Sequence, residues 1–434
     1  MATHRAFLLV LCGLTGGIGT AQEQRPALYV GEYDVNYTQG RVYRYTWAGL
    51  GYTRSLVWSF PGNQGIPIGS LLLDIDNDTL LACSNGGSVV TGISPSGQVL
   101  WTFLSPFVQQ FMSVPAIDQS GELVAVGGAW GDTHRLCRID RVGRVLSTIA
   151  TYTGLSPPGW ITVDLESGDY IVTGRSGLPP AGFRITDSGQ VSTVTGLETT
   201  EVYFHGPLEV DYKYGGYLAN TASGPPFLTN GWKRIALQPR YTEVVLLRTI
   251  MAIPHGIVVS QASRMFGVLP YVGGTNPGVQ EMSIYGGAAQ SHAVTPSNTL
   301  AFGTAGPPVI VGRRKLTGRG PGTPGSEYEL SVSFPAQPGV PYVIGASFGV
   351  RPGIDLGTAG YVPLVPDSLL AWSLSDPGTF VDFIGFLDQG GRGRGRWRIP
   401  ANAGLRGIRI FFAAVAVTAS NGISVSDPIG MTVR

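Results

Sequence analysis

The chain has 434 residues, of which 63 are Gly and 31 Pro, so 94 positions favour turns. A helix interior tolerates these two residues least, which excludes a coiled coil or a helical bundle. Only 13% of residues are charged while 43% are hydrophobic and 10% aromatic, a balance that excludes a disordered chain and reads as all-β. A formal net charge of +1 gives no electrostatic basis for nucleic acid or an acidic membrane as partner.

At the N-terminus His4 and Arg5 precede an apolar run from Ala6 to Leu14, and small residues follow up to Ala21. Charge, apolar run and small-x-small site in that order predict a secretory signal peptide over 1–21, cut after Ala21, and hence an exported, extracellular or cell-surface protein. Leu11 before Cys12 does not fit a lipoprotein site. No later apolar run approaches the ~20 residues of a membrane helix; the longest, Ile408 to Ala419, reads as a strand. Two cysteines remain, Cys83 and Cys137. They either pair in an oxidising compartment or serve as small buried hydrophobes.

Gly51, Gly97, Gly143 and Gly189 follow one another at a constant spacing of 46 residues. Around three of them the context repeats: Ile93 to Gly97, Arg138-Ile-Asp-Arg-Val-Gly143 and Arg184-Ile-Thr-Asp-Ser-Gly189, each followed by a β-branched run. This is a hairpin whose turn needs a residue tolerant of positive φ. A second hairpin lies upstream in each unit, where the first strand ends in Asp74, Asp118, Asp164 or Asp211, with Ser260 and Thr295 in later copies. Asp, Ser and Thr suit that place because their side chains bond the backbone two residues on and start the turn. Two hairpins per 46 residues make the four strands of a β-propeller blade. Second strands recur at Leu28, Leu80, Leu123, Tyr170, Tyr217, Met265 and Leu300, and dividing the span 26–319 by 46 gives about 6.4, so the repeat predicts six or seven blades. The first unit lacks an inner strand, and Thr299 to Ala305 or Pro308 to Val311 is expected to supply it from the other end.

The Arg-Ile-x-x-x-Gly repeat with its following strand resembles the NHL-type and streptogramin-lyase-like propellers of exported bacterial proteins. That resemblance implies a propeller over 22–312 and, for some members of the superfamily, a metal-dependent lyase or hydrolase site of His and acidic residues over the central channel. The basic Gly/Pro-rich stretch 313–325 reads as a linker. Beyond it, over 326–434, seven short strands without the 46-residue period predict an antiparallel β-sandwich. They are expected at Glu327–Phe334, Pro341–Phe348, Leu369–Leu374, Phe380–Leu387, Gly395–Ile399, Ile408–Val417 and Ile429–Val433. The stretches Ser347–Gly357 and Ile399–Gly407 are similar to C-terminal modules of uncharacterised secreted bacterial proteins.

Three features bear on chemistry. Asp74-Ile-Asp76-Asn-Asp78 resembles the start of a Ca²⁺ loop, yet the same place in other units holds ordinary turns, so it reads as a hairpin. Arg392, Arg394, Arg396 and Arg398 alternate with Gly391, Gly393, Gly395 and Trp397; a period of 2 sets all four on one strand face, a solvated face or a surface for nucleic acid or an anionic glycan, of which the net charge disfavours nucleic acid. His205, His255 and His292 each stand where a blade is expected to enter its inner strand, which would gather three imidazoles at the channel mouth as Zn²⁺ ligands. His-Gly is equally an ordinary turn dipeptide. Trp58 and Trp101, in matching outer-strand positions, read as structural, and the sequons at Asn36 and Asn77 matter only in a glycosylating host. No Gly-x-Ser-x-Gly elbow, His-Glu-x-x-His helix, P-loop or Cys-x-x-Cys pair occurs. The sequence therefore favours a secreted, non-catalytic binding or scaffold protein for an extracellular protein or glycan, with the sandwich as attachment or display module. A metal-dependent enzyme and a self-assembling surface or filament subunit are the alternatives.

Overall fold

A computed structural model describes residues 27–434 apart from 35–39, 60–67, 75–78, 85–88, 95, 108–110, 114, 119–120, 129–130, 155–157, 165–166, 175–181, 195–201, 205–207, 213–214, 224–229, 237–241, 250–254, 260–263, 270–277, 284–289, 296–300, 305–308, 311–315, 335–336, 357–359 and 418–422. The expected signal peptide, both sequon asparagines, Asp76, Asp78 and His205 lie outside the described residues.

The chain is nearly all β, and most of it is a succession of propeller-like antiparallel sheets. The second sheet shows the plan: Ile68–Asp74, Thr79–Ser84, Val89–Ile93 and Val99–Leu104 pair in sequence order. The fourth, from Pro158–Val163 to Val191–Thr193, repeats it. In the third and fifth sheets the first strand is interrupted, so Phe111–Met112 and Ala116–Ile117 both pair with Leu123–Gly128, and Val202–Phe204 and Glu209–Val210 both pair with Tyr217–Ser223. The first sheet has the same interrupted strand, taken from far along the chain: Ala301–Thr304 and Val309–Ile310 both pair antiparallel with Leu28–Asp34. Residues 301–304, expected as a seventh second strand, are thus partners of the first unit.

Alternate residues of each strand face neighbouring sheets, and buried clusters fill the junctions. Tyr29, Val42, Leu80 and Ile93 pack between the first and second sheets; Leu81, Cys83, Phe103, Leu123 and Cys137 between the second and third. Both cysteines are free thiols there, and burial pushes the Cys83 thiol up to about 12. The sixth sheet is made of His255–Val259, Arg264–Leu269, Gly278–Ser283 and Gln290–Thr295, and in the first Leu28–Asp34 is followed by Gly40–Trp47 and Tyr52–Ser59. Val279 and Val294 of the sixth sheet pack on Leu28, Tyr43, Tyr45 and Tyr52 of the first. The outer strands of these two sheets also pair in parallel, Val294 with Tyr52 and Thr295 with Thr53.

The repeated glycines serve these junctions. Gly97, Gly143 and Gly189 take φ of +88°, +82° and +84° in the turn before the outer strand. Gly51 does not: the positive φ moves to Gly49, at +90°, because Ala48 donates to Gly51 O in a shorter turn. What all four share is close approach to the preceding sheet. A Cβ on Gly97 would lie 2.0 Å from Val57 O, on Gly143 2.8 Å from the Phe103 ring, on Gly189 2.4 Å from Ile149 O, and on Gly51 2.7 Å from Ala293 O of the sixth sheet.

The C-terminal region is a pair of antiparallel sheets that face each other. One is ordered Leu316–Arg319, Glu327–Ser333, Arg392–Arg398, Phe380–Val381; the other is built on Pro341–Ser347 and Arg409–Val417. Tyr328, Leu330, Trp397, Ile344, Phe412 and Ala414 fill the space between them. Two expectations from the sequence are corrected by this arrangement. Leu316–Arg319, inside the expected linker, is a strand paired with Glu327–Ser333. Leu369–Leu374, expected as a strand, lies in helix Ser368–Ser375, whose N-cap Asp367 accepts from Leu370 N at 2.9 Å. The same carboxylate accepts from Ser347 Oγ and Phe348 N, tying the helix to the end of Pro341–Ser347.

This domain rests on the fourth and fifth sheets. Arg409 Nη1 donates to Ser167 O at 2.7 Å and Tyr361 OH to Tyr212 O at 3.3 Å. Tyr212 also packs on the cluster formed by Val343, Val350, Leu370 and Phe411.

Candidate functional site

The Asp-bearing turns form one end of the sheets. Asp118 Oδ1 accepts from Glu122 N at 3.0 Å and Asp164 Oδ1 from Ser167 N at 3.3 Å, four and three residues on instead of the two expected. Asp211 keeps the backbone bond of that turn, its N–H donating to Gly216 O. Asp74 pairs with Thr79 through the backbone, and its side chain is outside the described residues.

The other carboxylate oxygens clamp adjoining sheets. Arg138 Nε donates to Asp118 Oδ2 at 2.9 Å, and its Nη2 lies 3.3 Å from the hydroxyl of Tyr170 on the next sheet. One unit later Arg184 Nε donates to Asp169 Oδ2 at 2.5 Å and Tyr217 OH of the following sheet to Asp164 Oδ2 at 2.7 Å. Burial, with Asp118 second, pushes the Tyr170 phenol up to about 12. Burial and Asp164 push Tyr217 up as well. The Arg of the Arg-Ile repeat thus ties a carboxylate of its own sheet and, in Arg138, also reaches the next sheet, a role legible only in its recurrence opposite the Asp turns.

A second buried polar group lies between the first and sixth sheets. Arg54 Nη1 donates to Glu32 at 2.8 and 2.6 Å with both side chains 3% exposed. Tyr45 OH donates to the same carboxylate, and Arg54 stacks over Tyr43. Burial raises the Glu32 carboxyl, against the lowering effect of Tyr45 and Arg54. Facing this group, His292 Nε2 lies 2.7 Å from Glu281 Oε2, with the imidazole edge-on to Trp47.

That position corrects the strand expected for His292. His292 lies on Gln290–Thr295, the outermost strand of its sheet, whereas His255 opens the innermost, His255–Val259. The His255 side chain is outside the described residues. Among the described residues no three His, Cys, Asp or Glu are gathered as a metal site. Trp101, read as structural, lies over Gly92 and stacks on Phe103.

At the end of the sheets away from the Asp turns, the third sheet carries aromatic side chains on one face and polar ones on the other. His134 and Tyr152 meet edge-on and Tyr152 packs on Phe183. Arg135, exposed, sits with its guanidinium 5.8 Å from the Phe107 ring centre, beside exposed Thr151, Thr133 and Thr153.

No family model and no curated protein matches the chain. Solved structures resemble it distantly. A protein of unknown function from Bacteroides caccae is 14% identical over 66% of this chain and 99% of its own, with a TM-score of 0.46. A putative 6-phosphogluconolactonase from Bacteroides fragilis is 11% identical over 61% and 93%, with a TM-score of 0.37. Kuenenia stuttgartiensis hydrazine synthase is 9% identical over 95% and 68%, with a TM-score of 0.46. No activity is taken from these likenesses.

Proposed function

We propose that this chain is an exported, non-catalytic binding scaffold: a closed ring of six blades that presents a ligand surface at one end and carries the C-terminal sandwich as an attachment module at the other. The supporting observation is how the Asp-turn end is used. Its Asp, Arg and Tyr side chains bond one another within sheets and, through Arg138 to Tyr170 and Tyr217 to Asp164, across them, and the C-terminal domain is seated there through Arg409 and Tyr361. Recognition then falls to the opposite strand ends, where a rigid scaffold offers exposed polar groups such as Arg135 beside Phe107.

The test is capture from the native extracellular medium or envelope by immobilised mature chain. A specific glycan or protein bound by the wild type and lost with Arg135→Ala supports the reading; turnover of the captured compound overturns it. A second reading has its own observation. Leu56, Leu100, Leu104 and Leu146 on outer strands are 56%, 48%, 73% and 53% exposed, the kind of apolar edge that favours self-association. Sizing over a concentration series separates it: a monomer at all concentrations removes it.

A further inference from the structure

The alternation of Arg and Gly from 391 to 398 has a physical cause on each face. On the inner face a Cβ at Gly393 would lie 2.5 Å from the Tyr342 ring and one at Gly395 2.7 Å from Ile344 Cδ1, so the opposing sheet leaves room for hydrogen alone. On the outer face Arg392, Arg394 and Arg398 are exposed and Arg396 half-exposed, in a row with about 6.6 Å between neighbours. Glu327 takes Arg398 at 3.1 Å and Arg396 at 3.7 Å, with Asp382 at 4.0 Å from Arg396. Arg394 and Arg392 stand opposite Ser331 and Ser333 on the paired strand. Arg319 on the adjoining strand adds a further exposed guanidinium, opposite Glu329.

The position of this face matters as much as its charge. Pro341–Ser347 has the inter-sheet core on the side of Tyr342, Ile344 and Ala346, and on the side of Val343 the cluster that receives Tyr212 of the propeller-like region. The Arg sheet is therefore the layer farthest from that region, and its outer face points away from it.

We propose that this face binds a linear acidic polysaccharide along the exposed row Arg392, Arg394 and Arg398. Guanidinium forks match carboxylates bidentately, and a straight row of cations fits a chain of regularly spaced anions better than a single small ion. The assignment rests on the C-terminal domain being an attachment module. The propeller-end ligand is scored separately with Arg135→Ala, so failure of one does not disguise failure of the other.

The experiment is retention of the full mature chain on immobilised polygalacturonate over a salt series, with single-stranded DNA as a second matrix. Wild type is expected to bind with an affinity that falls as salt rises. Arg392→Gln/Arg394→Gln is expected to bind about tenfold or more weakly with a shallower salt slope. Arg44→Gln/Arg144→Gln, which removes the same charge from the propeller-like region, is expected to match wild type. Absence of wild-type binding, equal loss in both double variants, or equal retention on DNA overturns the proposal. Unchanged circular dichroism in each variant is required for the comparison.

Discussion

Arg54 and Glu32 show how costly a misplaced charge is inside a sheet junction. With both side chains almost fully buried, removing one partner leaves the other without compensation. Arg54→Ala is expected to lower stability by about 3–5 kcal/mol, whereas Glu32→Leu/Arg54→Leu costs much less; chemical denaturation of the two variants checks it. The pH dependence follows from the raised Glu32 carboxyl. A folded-state value above the unfolded one favours the protonated folded form, so this group's contribution is complete below the ordinary value of 4.5 and is lost as pH rises through the raised value. Glu32→Gln is expected to remove that acid-side gain from the stability profile; a profile parallel to wild type contradicts it. Glycines separate in the same way. Gly97→Ala meets Val57 O at 2.0 Å besides its positive φ, and is expected to cost well over the ~1 kcal/mol of a strained turn alone. Gly49→Ala, with open space around its Cβ, is expected to stay near that figure.

At the scale of elements, the period made the hairpins legible because each unit repeats two constraints, an Asp that starts one turn and a Gly that lets neighbouring sheets touch. It misled where the constraints lapsed. Thr295 resembles an inner-strand anchor, yet it closes the outer strand Gln290–Thr295, which puts His292 at the opposite end of its sheet from the one expected. Helix Ser368–Ser375 was missed because a short apolar run fits strand and helix alike; Asp367 just before it was the available N-cap signal. That carboxylate accepts from Leu370 N, Ser347 Oγ and Phe348 N. Asp367→Ala is therefore expected to cost more than the ~1 kcal/mol of a simple cap, read as a lower melting temperature of the C-terminal domain. The approach of Arg135 and its neighbouring threonines to Phe107 gave no signal in the sequence, since it brings the third sheet against the segment that follows the second.

For the whole molecule, the account rests on chain ends that meet. The first sheet takes its inner strand from residues 301–310, its glycine at 51 touches Ala293, and its outer strand pairs with Val294–Thr295. Limited proteolysis should respect the strand Leu316–Arg319. A stable fragment that starts at 326 contradicts that boundary. The most direct test is covalent. Leu28 lies opposite Ile310 and Tyr29 opposite Val309, and of two adjacent antiparallel pairs one is a close, non-hydrogen-bonded pair. Full-length protein carrying Leu28→Cys/Ile310→Cys or Tyr29→Cys/Val309→Cys is examined under mild oxidation by peptide mass spectrometry. In one of the two, the account predicts an intramolecular disulfide joining these distant segments and a raised melting temperature. Free thiols in both folded variants, or linkage only between molecules, would contradict a closed ring.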